Sequence, residues 1–571
     1  MKMKKYILTI FAALVCWVAA AQSQDETVFR AMETELSRNM DELRMDDLGR
    51  PFWIGYIYAD IRVMSVAASL GEVVTSQMQP QRFNATRVLM GDYATTSDIN
   101  YNSAYDIRGS AIATDGEQIR REFWINTDAN YKQTTPNMAR KAAMRRQSAR
   151  TPEEEALPDL LPVAAIDKTV EGPAFGFDSA EWERRTAELS AIFAEYPSLY
   201  ASEVRMTAYD WTNYAYTSEE VRTRYPMSFA SLVMKASVRT ADGEEFSDNF
   251  EIYAPSDLTL PPQEELLEQA WLFARNLSEY AAAPKIGEFY SGPVLFTGQP
   301  VFRMFDDNLL QNNGDGLLVK RRSENPQNQS RGGAIYLGGG GPPSSAARRL
   351  ENRLDQRVLD RKLTVTNHSA LAEYGGVPLL GRYEIDADGV VPDDSLVVID
   401  GGMLRTVLNG RVPTLKSPAS TGSNRLSLNI SPTVAPGTLE ISAAETKPMA
   451  RLEQELMTLA KNDGLKYAYI VERMNGKVNL VWRVDVATGG RTLVRNAEVT
   501  PIALTQLKRV AGISAESEVW NYLAGQVPAS MIYPSAVLLE DVEIGEMETT
   551  KEKPSPIVNP LQRIDEIKDD K

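Results

Sequence analysis

Apolar residues recur along the chain with two periods, which divide it into helical and extended segments. In DETVFRAMETELSRNMDELR (25–44), Val28, Met32, Leu36, Met40 and Leu43 fall on one helical face, with Ser23 and Glu26 placed as a capping box at its start. The runs FWIGYIYADIRVMSVAASLGEVV (52–74) and RFNATRVLMGDY (82–93) are rich in Tyr, Ile and Val and read as strands joined by turns. RREFWINTDANYKQ (120–133) reads as a strand entering a helix, and MARKAAMRRQSAR (138–150) as a basic helix with a solvated face. TPEEEALPDLLP (151–162) reverses the sign of charge and carries three prolines, which marks a linker or domain edge.

A second region repeats the alternation. DSAEWERRTAELSAIFAEY (178–196) is a helix opening on Asp178 and Glu181 as a capping pair. Two alternating strands follow, over 202–218 and 229–246, the second with a turn at Asp242 and Gly243, and then a helix over 261–280 with Pro262 near its first turn. From Gly287 strands and turns prevail, and 311–349, with NPQNQSRGG and GGGGPPSS, reads as a mobile loop. Gly338 to Gly341 does not make a phosphate cradle, because no Gly-Lys-Ser/Thr follows. The order helix, strands, helix and then a long strand-rich stretch predicts an α+β chain, with N-terminal α/β-type layers ahead of a larger strand-rich C-terminal domain.

The N-terminus adds a processing signal. Lys2, Lys4 and Lys5 precede the apolar run YILTIFAALVCWVAAA, whose closing alanines supply a cleavage context, so residues 1–21 read as a signal peptide. The expected boundaries are then 22–150 for an N-terminal α+β domain, 151–285 for a middle α+β region, 286–547 for the C-terminal β-rich domain and 548–571 for a flexible tail. The 571 residues exceed a single core. A formal charge of −16, falling to about −19 without Lys2, Lys4 and Lys5, excludes a nucleic-acid partner, which needs a basic face. Removing residues 1–21 also removes Cys16, the sole cysteine, and leaves His368 as the sole histidine. Cysteine catalysis is thereby excluded, and a serine triad through His368 would need a distant serine.

The stretch YSGPVLFTGQPVFRMFDDNLLQ (290–311) sets an apolar strand, a turn and an amphipathic helix bearing Asp306, Asp307 and Gln311. Strand, turn and helix with inward polar groups is a common scaffold for a catalytic site. Neighbouring Asp306 and Asp307 point about 100° apart on a helix, so they do not readily face one ion. A hard-cation site joining this helix to the acids at 386 and 388 is the metal alternative.

Over some 280 residues the chain resembles the TldD/PmbA family of zinc-peptidase-related proteins. The resemblance is carried by LLEQAWLFARNLSEYAAAPKIGEFYSGPVLF, by the block from LENRLDQRV to DSLVVIDGGMLRTVLNGR with its final arginine, by SPASTGSNRLSLNISPTVAPG, and by PASMIYPSAVLLEDVEIG. In catalytic members the helix after Gly-Pro-Val-Leu-Phe carries His-Glu-x-x-x-His, and a later cysteine completes the zinc site. Those helix positions fall on Asp306, Asp307 and Gln311 here, and VWNYLAGQVPAS holds no cysteine. Hydrolytic zinc takes three protein ligands and one water. The resemblance therefore implies a divergent member with no catalytic residues, no metal and no cofactor.

The family groove, which takes extended peptides, would retain His368, Thr421, Gly422 and Arg425, with Ser423 where the family has Asn. Structural roles for two of these stand beside that reading: Gly422 in a turn, Arg425 in an ion pair. The family also assembles as dimers. The expected function is a periplasmic pseudo-peptidase of a Gram-negative bacterium, binding extended peptides or pairing with itself or with a zinc-bearing relative. The alternative is an active metallopeptidase or other hydrolase with an atypical site using Asp306, Asp307 or His368.

Overall fold

A computed structural model of the chain describes residues 24–45, 49–112, 115–148, 150–310, 316–325 and 349–549. The signal-peptide reading (1–21), Ser23 of the capping box, Gln311, most of the 311–349 loop and the tail beyond residue 549 lie outside the described residues. The fold is α+β, with its strand-rich half at the C-terminus.

The first half is built on an eight-stranded sheet. Its axis is a hairpin, Trp53–Ser69 with Glu72–Leu89, turning at Leu70 and Gly71. The first of these strands also pairs antiparallel with Leu199–Thr217, in a register that sets Tyr56 opposite Tyr216. Strands from 22–150 and from 151–285 thus share one sheet. Trp53–Ser69 is buried along almost its whole length because both its faces are covered. Ile54, Tyr56 and Tyr58 meet the helices 24–42 and Gly116–Gln147, whereas Ile57, Ala59 and Ile61 meet Ile385, Ala387, Leu426 and Ile430 of the C-terminal half. Further along, Met64 and Val66 join a core with Leu189 and Phe273, which belong to the helices Ser179–Ala191 and Gln263–Ala282.

Three segments differ from expectation. Residues 120–133 are wholly helical, inside Gly116–Gln147. Phe123, Trp124 and Ile125 favour strands individually, but Ile119, Phe123, Thr127 and Tyr131 lie four apart and are all buried, so packing overrides propensity. The basic end of this helix is not simply solvated, because Lys141 is fully buried against Asp159 at 2.6 Å. The expected linker is likewise anchored: Thr151 and Glu154 form a capping box on a short helix, Pro152–Ala156, and Asp159 and Leu160 are buried.

The C-terminal half is two sheets face to face. The seven-stranded sheet centres on Tyr290–Thr297, parallel to Tyr467–Asn475 and antiparallel to Ala536–Glu546. The six-stranded sheet centres on Leu363–His368 and Thr438–Ala443. Alternation sorts the central strand: Val294 and Phe296 enter the inter-sheet core, while Leu295 faces Leu452 and Leu456 of the covering helix Met449–Asn462. Between the sheets lies the helix Gln299–Phe305, whose last turn widens to a π-turn over Asp306–Leu310. Such widened turns cluster at functional positions.

Candidate functional site

The strand-to-helix scaffold forms for local reasons. Gly298 adopts φ +63°, a conformation that suits glycine, and Pro300 starts the helix. Val301, Phe302 and Phe305 then fix it in the inter-sheet core. In the widened turn Asp306 is 2 % exposed, whereas Asp307 faces solvent. Asn308 is buried and donates to the carbonyls of Met304 (2.9 Å) and Ile502 (2.8 Å). The divergence of the two acids is thus realised, and the inward polar groups are Asp306 and Asn308.

Tyr522 lies near both Asp306 and Arg425. The Tyr522 phenol is pushed far up in pKa, first by burial and then by Asp306, with Arg425 pulling the other way. Arg425 is 8 % exposed, and its guanidinium stacks on the Tyr383 ring at 4.4 Å and donates to the Pro436 carbonyl. Burial lowers its pKa, and the nearby Tyr383 and Tyr522 offset this in part. The expected ion pair at Arg425 is replaced by a ring and a carbonyl. Among the described residues no carboxylate pairs with it.

Gly422 serves a turn, as one expectation had it. Its φ is +66°, and an added Cβ would approach the Pro392 backbone to 3.0 Å. Its carbonyl accepts from Tyr383 Oη at 3.0 Å. Thr421 clasps Asn409, accepting from its N–H (2.9 Å) and donating to its carbonyl (3.0 Å), and Ser423 is fully buried beside it. Asp306, Arg425, Gly422 and Thr421 therefore belong to one connected neighbourhood, with Tyr383, Tyr522 and Asn409 as members that sequence reasoning missed. Tyr522 lies in VWNYLAGQVPAS, a stretch read only for its lack of a cysteine.

His368 ends the strand Leu363–His368 and projects from the six-stranded sheet. Its Nδ1 lies 2.8 Å from Ser395 Oγ and its Nε2 2.8 Å from Glu440 Oε2. Ser395 is the antiparallel register partner of His368, and Glu440 stands on the neighbouring strand on the other side. The distant serine that a triad would need is thus supplied by strand pairing. The acids at 386 and 388 have other work. Asp386 accepts the backbone N–H groups of Asp388, Val390 and Asn424, and Asp388 accepts the Asn424 side chain at 2.8 Å. Burial and the adjacent Asp388 push the Asp386 carboxyl well up.

These residues do not fit a zinc centre. Asp306 is engaged with Tyr522, Asp307 points away, and His368 is held between Ser395 and Glu440. Among the described residues no three His, Cys, Asp or Glu side chains converge. No catalytic step through zinc follows from this donor set.

The fold has solved counterparts. Three solved structures share it: TldE from Thermococcus kodakarensis (TM-score 0.57, 11 % identity, 90 % of this chain and 100 % of that one), a proposed modulator of a DNA gyrase from Thermotoga maritima (0.53, 12 %, 86 % and 96 %), and a proposed modulator of DNA gyrase from Bacteroides thetaiotaomicron (0.53, 11 %, 91 % and 98 %). Residues 344–546 match the family model of the PmbA/TldA metallopeptidase C-terminal domain. Residues 344–546 thus carry the C-terminal domain of the TldD/PmbA family. No curated protein matches it.

Proposed function

We propose that this is an exported TldD/PmbA-family protein that works without zinc catalysis, as a peptide-binding or dimer-partner subunit. The observation that carries the reading is the chemistry at the zinc-motif helix. Asp306 and Asp307 stand where the resemblance puts histidine and glutamate, and the buried one of the pair is turned to Tyr522 rather than to other metal donors. Export rests on the N-terminal Lys-rich and apolar run, and a periplasmic site follows from it. The partner is a second copy or a zinc-bearing relative, and the held ligand an extended peptide lying along strand edges. Purified mature protein should contain substoichiometric zinc and show no chelator-sensitive cleavage of an unfolded protein substrate. Stoichiometric zinc, together with chelator-sensitive cleavage lost in Asp306→Ala, overturns this reading.

A second reading, an active hydrolase, has one specific observation in its favour: the Ser395–His368–Glu440 chain of hydrogen bonds. Such a chain can activate a serine when the histidine takes its proton. These groups lie on a partly exposed sheet surface, whose bland role is a cross-strand polar ladder. A fluorophosphonate probe should therefore leave Ser395 unmodified. Labelling of wild type that disappears in both Ser395→Ala and His368→Ala would establish the hydrolase instead.

A further inference from the structure

A cavity of about 400 Å³ opens between the helix Gly116–Gln147 and the loop 97–104, away from the zinc-motif helix. Its volume is that of a small-molecule site, roughly 300–1,000 Å³, but its lining is unusually polar for one. Asn130, Gln133, Asn137 and Arg140 line it from successive turns of one helix face, and Asn102 lines it from the loop. The wall opposite is rigid: Arg87 is ion-paired to Asp98 at 2.8 Å, and Asp98 in turn accepts the N–H groups of Asn100 and Tyr101. Tyr101 and Ser103 hold left-handed φ values of +52° and +53°, uncommon for residues with side chains.

The helix face of the lining keeps part of its hydrogen-bonding capacity unspent. The Asn130 oxygen accepts from Val88 N–H, the Asn102 oxygen from Ala104 N–H, and the Asn137 oxygen from Arg140, which leaves three amide NH2 groups as donors. Gln133 makes no hydrogen bond among the described residues, and Arg140 pairs with no carboxylate there. Carboxamides complement peptide groups, and a spare guanidinium complements a carboxylate. Among the described residues no aromatic ring lines the cavity for a sugar face to stack on.

We propose that this cavity binds the carboxylate end of a short peptide, with Arg140 on the terminal carboxylate and the Gln133 and Asn137 amides on the adjoining peptide carbonyls. The site is separate from the neighbourhood of Asp306 and Arg425, and the inference does not rest on that neighbourhood. The test is calorimetric titration of the full mature chain with tetraalanine, tetraalanine amide and maltotetraose. Tetraalanine should bind, and either amidation or Arg140→Gln should weaken it at least about tenfold, the worth of one charge-assisted hydrogen bond. Gln133→Ala with Asn137→Ala should weaken it further, and Tyr522→Phe should not change it. Absence of tetraalanine binding, binding indifferent to all three cavity substitutions, or a preference for maltotetraose overturns the proposal. Loss in Tyr522→Phe alone would place the peptide at the Asp306 neighbourhood, supporting the function proposed above while removing this one.

Discussion

Glu219→Ala is expected to destabilise the protein by about 3–5 kcal/mol, the cost of leaving a buried charge without its partner. Glu219 follows the strand Leu199–Thr217, and Arg411 comes from the C-terminal half. Arg411 is 2 % exposed and grips Glu219 with both terminal nitrogens, at 2.7 and 2.6 Å. Arg411 also donates to the Leu161 carbonyl, and Glu219 accepts from Trp53 Nε1 (2.7 Å), Tyr93 Oη (2.7 Å) and Val163 N–H (3.1 Å). This ion pair thus ties together the sheet, Leu161 and Val163 of the connecting segment, and the second half. Urea unfolding followed by tryptophan fluorescence measures the loss. The double substitution Glu219→Leu with Arg411→Met should lose less than Glu219→Ala, because no charge is then stranded. A loss under about 1 kcal/mol for Glu219→Ala would mean that water reaches the pair.

The second large effect lies at Asp159. It is fully buried between Lys141 at 2.6 Å and Arg145, accepts the Thr96 N–H at 2.8 Å, and lies 3.0 Å from Tyr101 Oη. Burial alone would raise its pKa, but Lys141 and Arg145 outweigh it and hold the carboxyl below the usual range. Glu324, paired with Arg145 at 2.9 Å, is held low as well, again against burial, by Tyr101 and Arg145. A carboxyl whose pKa is depressed on folding adds stability above its unfolded pKa, about 4, and loses it as pH falls through the lower folded value. Wild-type stability should therefore be flat near neutrality and decline below about pH 4. Asp159→Asn keeps the shape but strands Lys141, and about 3–5 kcal/mol should be lost at pH 7. The difference between variant and wild type should shrink as the pH is lowered. Thermal unfolding of both proteins between pH 3 and 7 checks this, and a difference that stays constant over that range would rule out the carboxylate as its source.

These two clusters also show where the sequence was legible. Local signals read well: Asp178 does accept the Glu181 N–H at 3.0 Å, and Pro262 does precede the helix Gln263–Ala282. The helix at 120–133 was legible too, in the four-residue spacing of Ile119, Phe123, Thr127 and Tyr131, but the run of β-formers masked it. The buried role of Lys141 was not, because its partner Asp159 lies in a segment whose prolines suggest a linker. Similarly, nothing in SPASTGSNRLSLN announces that Arg425 rests on Tyr383, or that Tyr522 stands between Arg425 and Asp306. These are tertiary contacts between segments some forty to over two hundred residues apart. The Ser395–His368–Glu440 alignment has the same origin: neither partner is near His368 in sequence, and both are fixed by register.

The pairing of Trp53–Ser69 with Leu199–Thr217 has a consequence for biogenesis. During synthesis the hairpin 53–89 emerges long before its second neighbour, and until residue 217 is available one strand with two apolar faces presents an open ladder of backbone groups. Its opposite face is completed later still, by Ile385 and Leu426. Closure of the first half must therefore wait on the second, a high-contact-order arrangement of the kind that folds slowly.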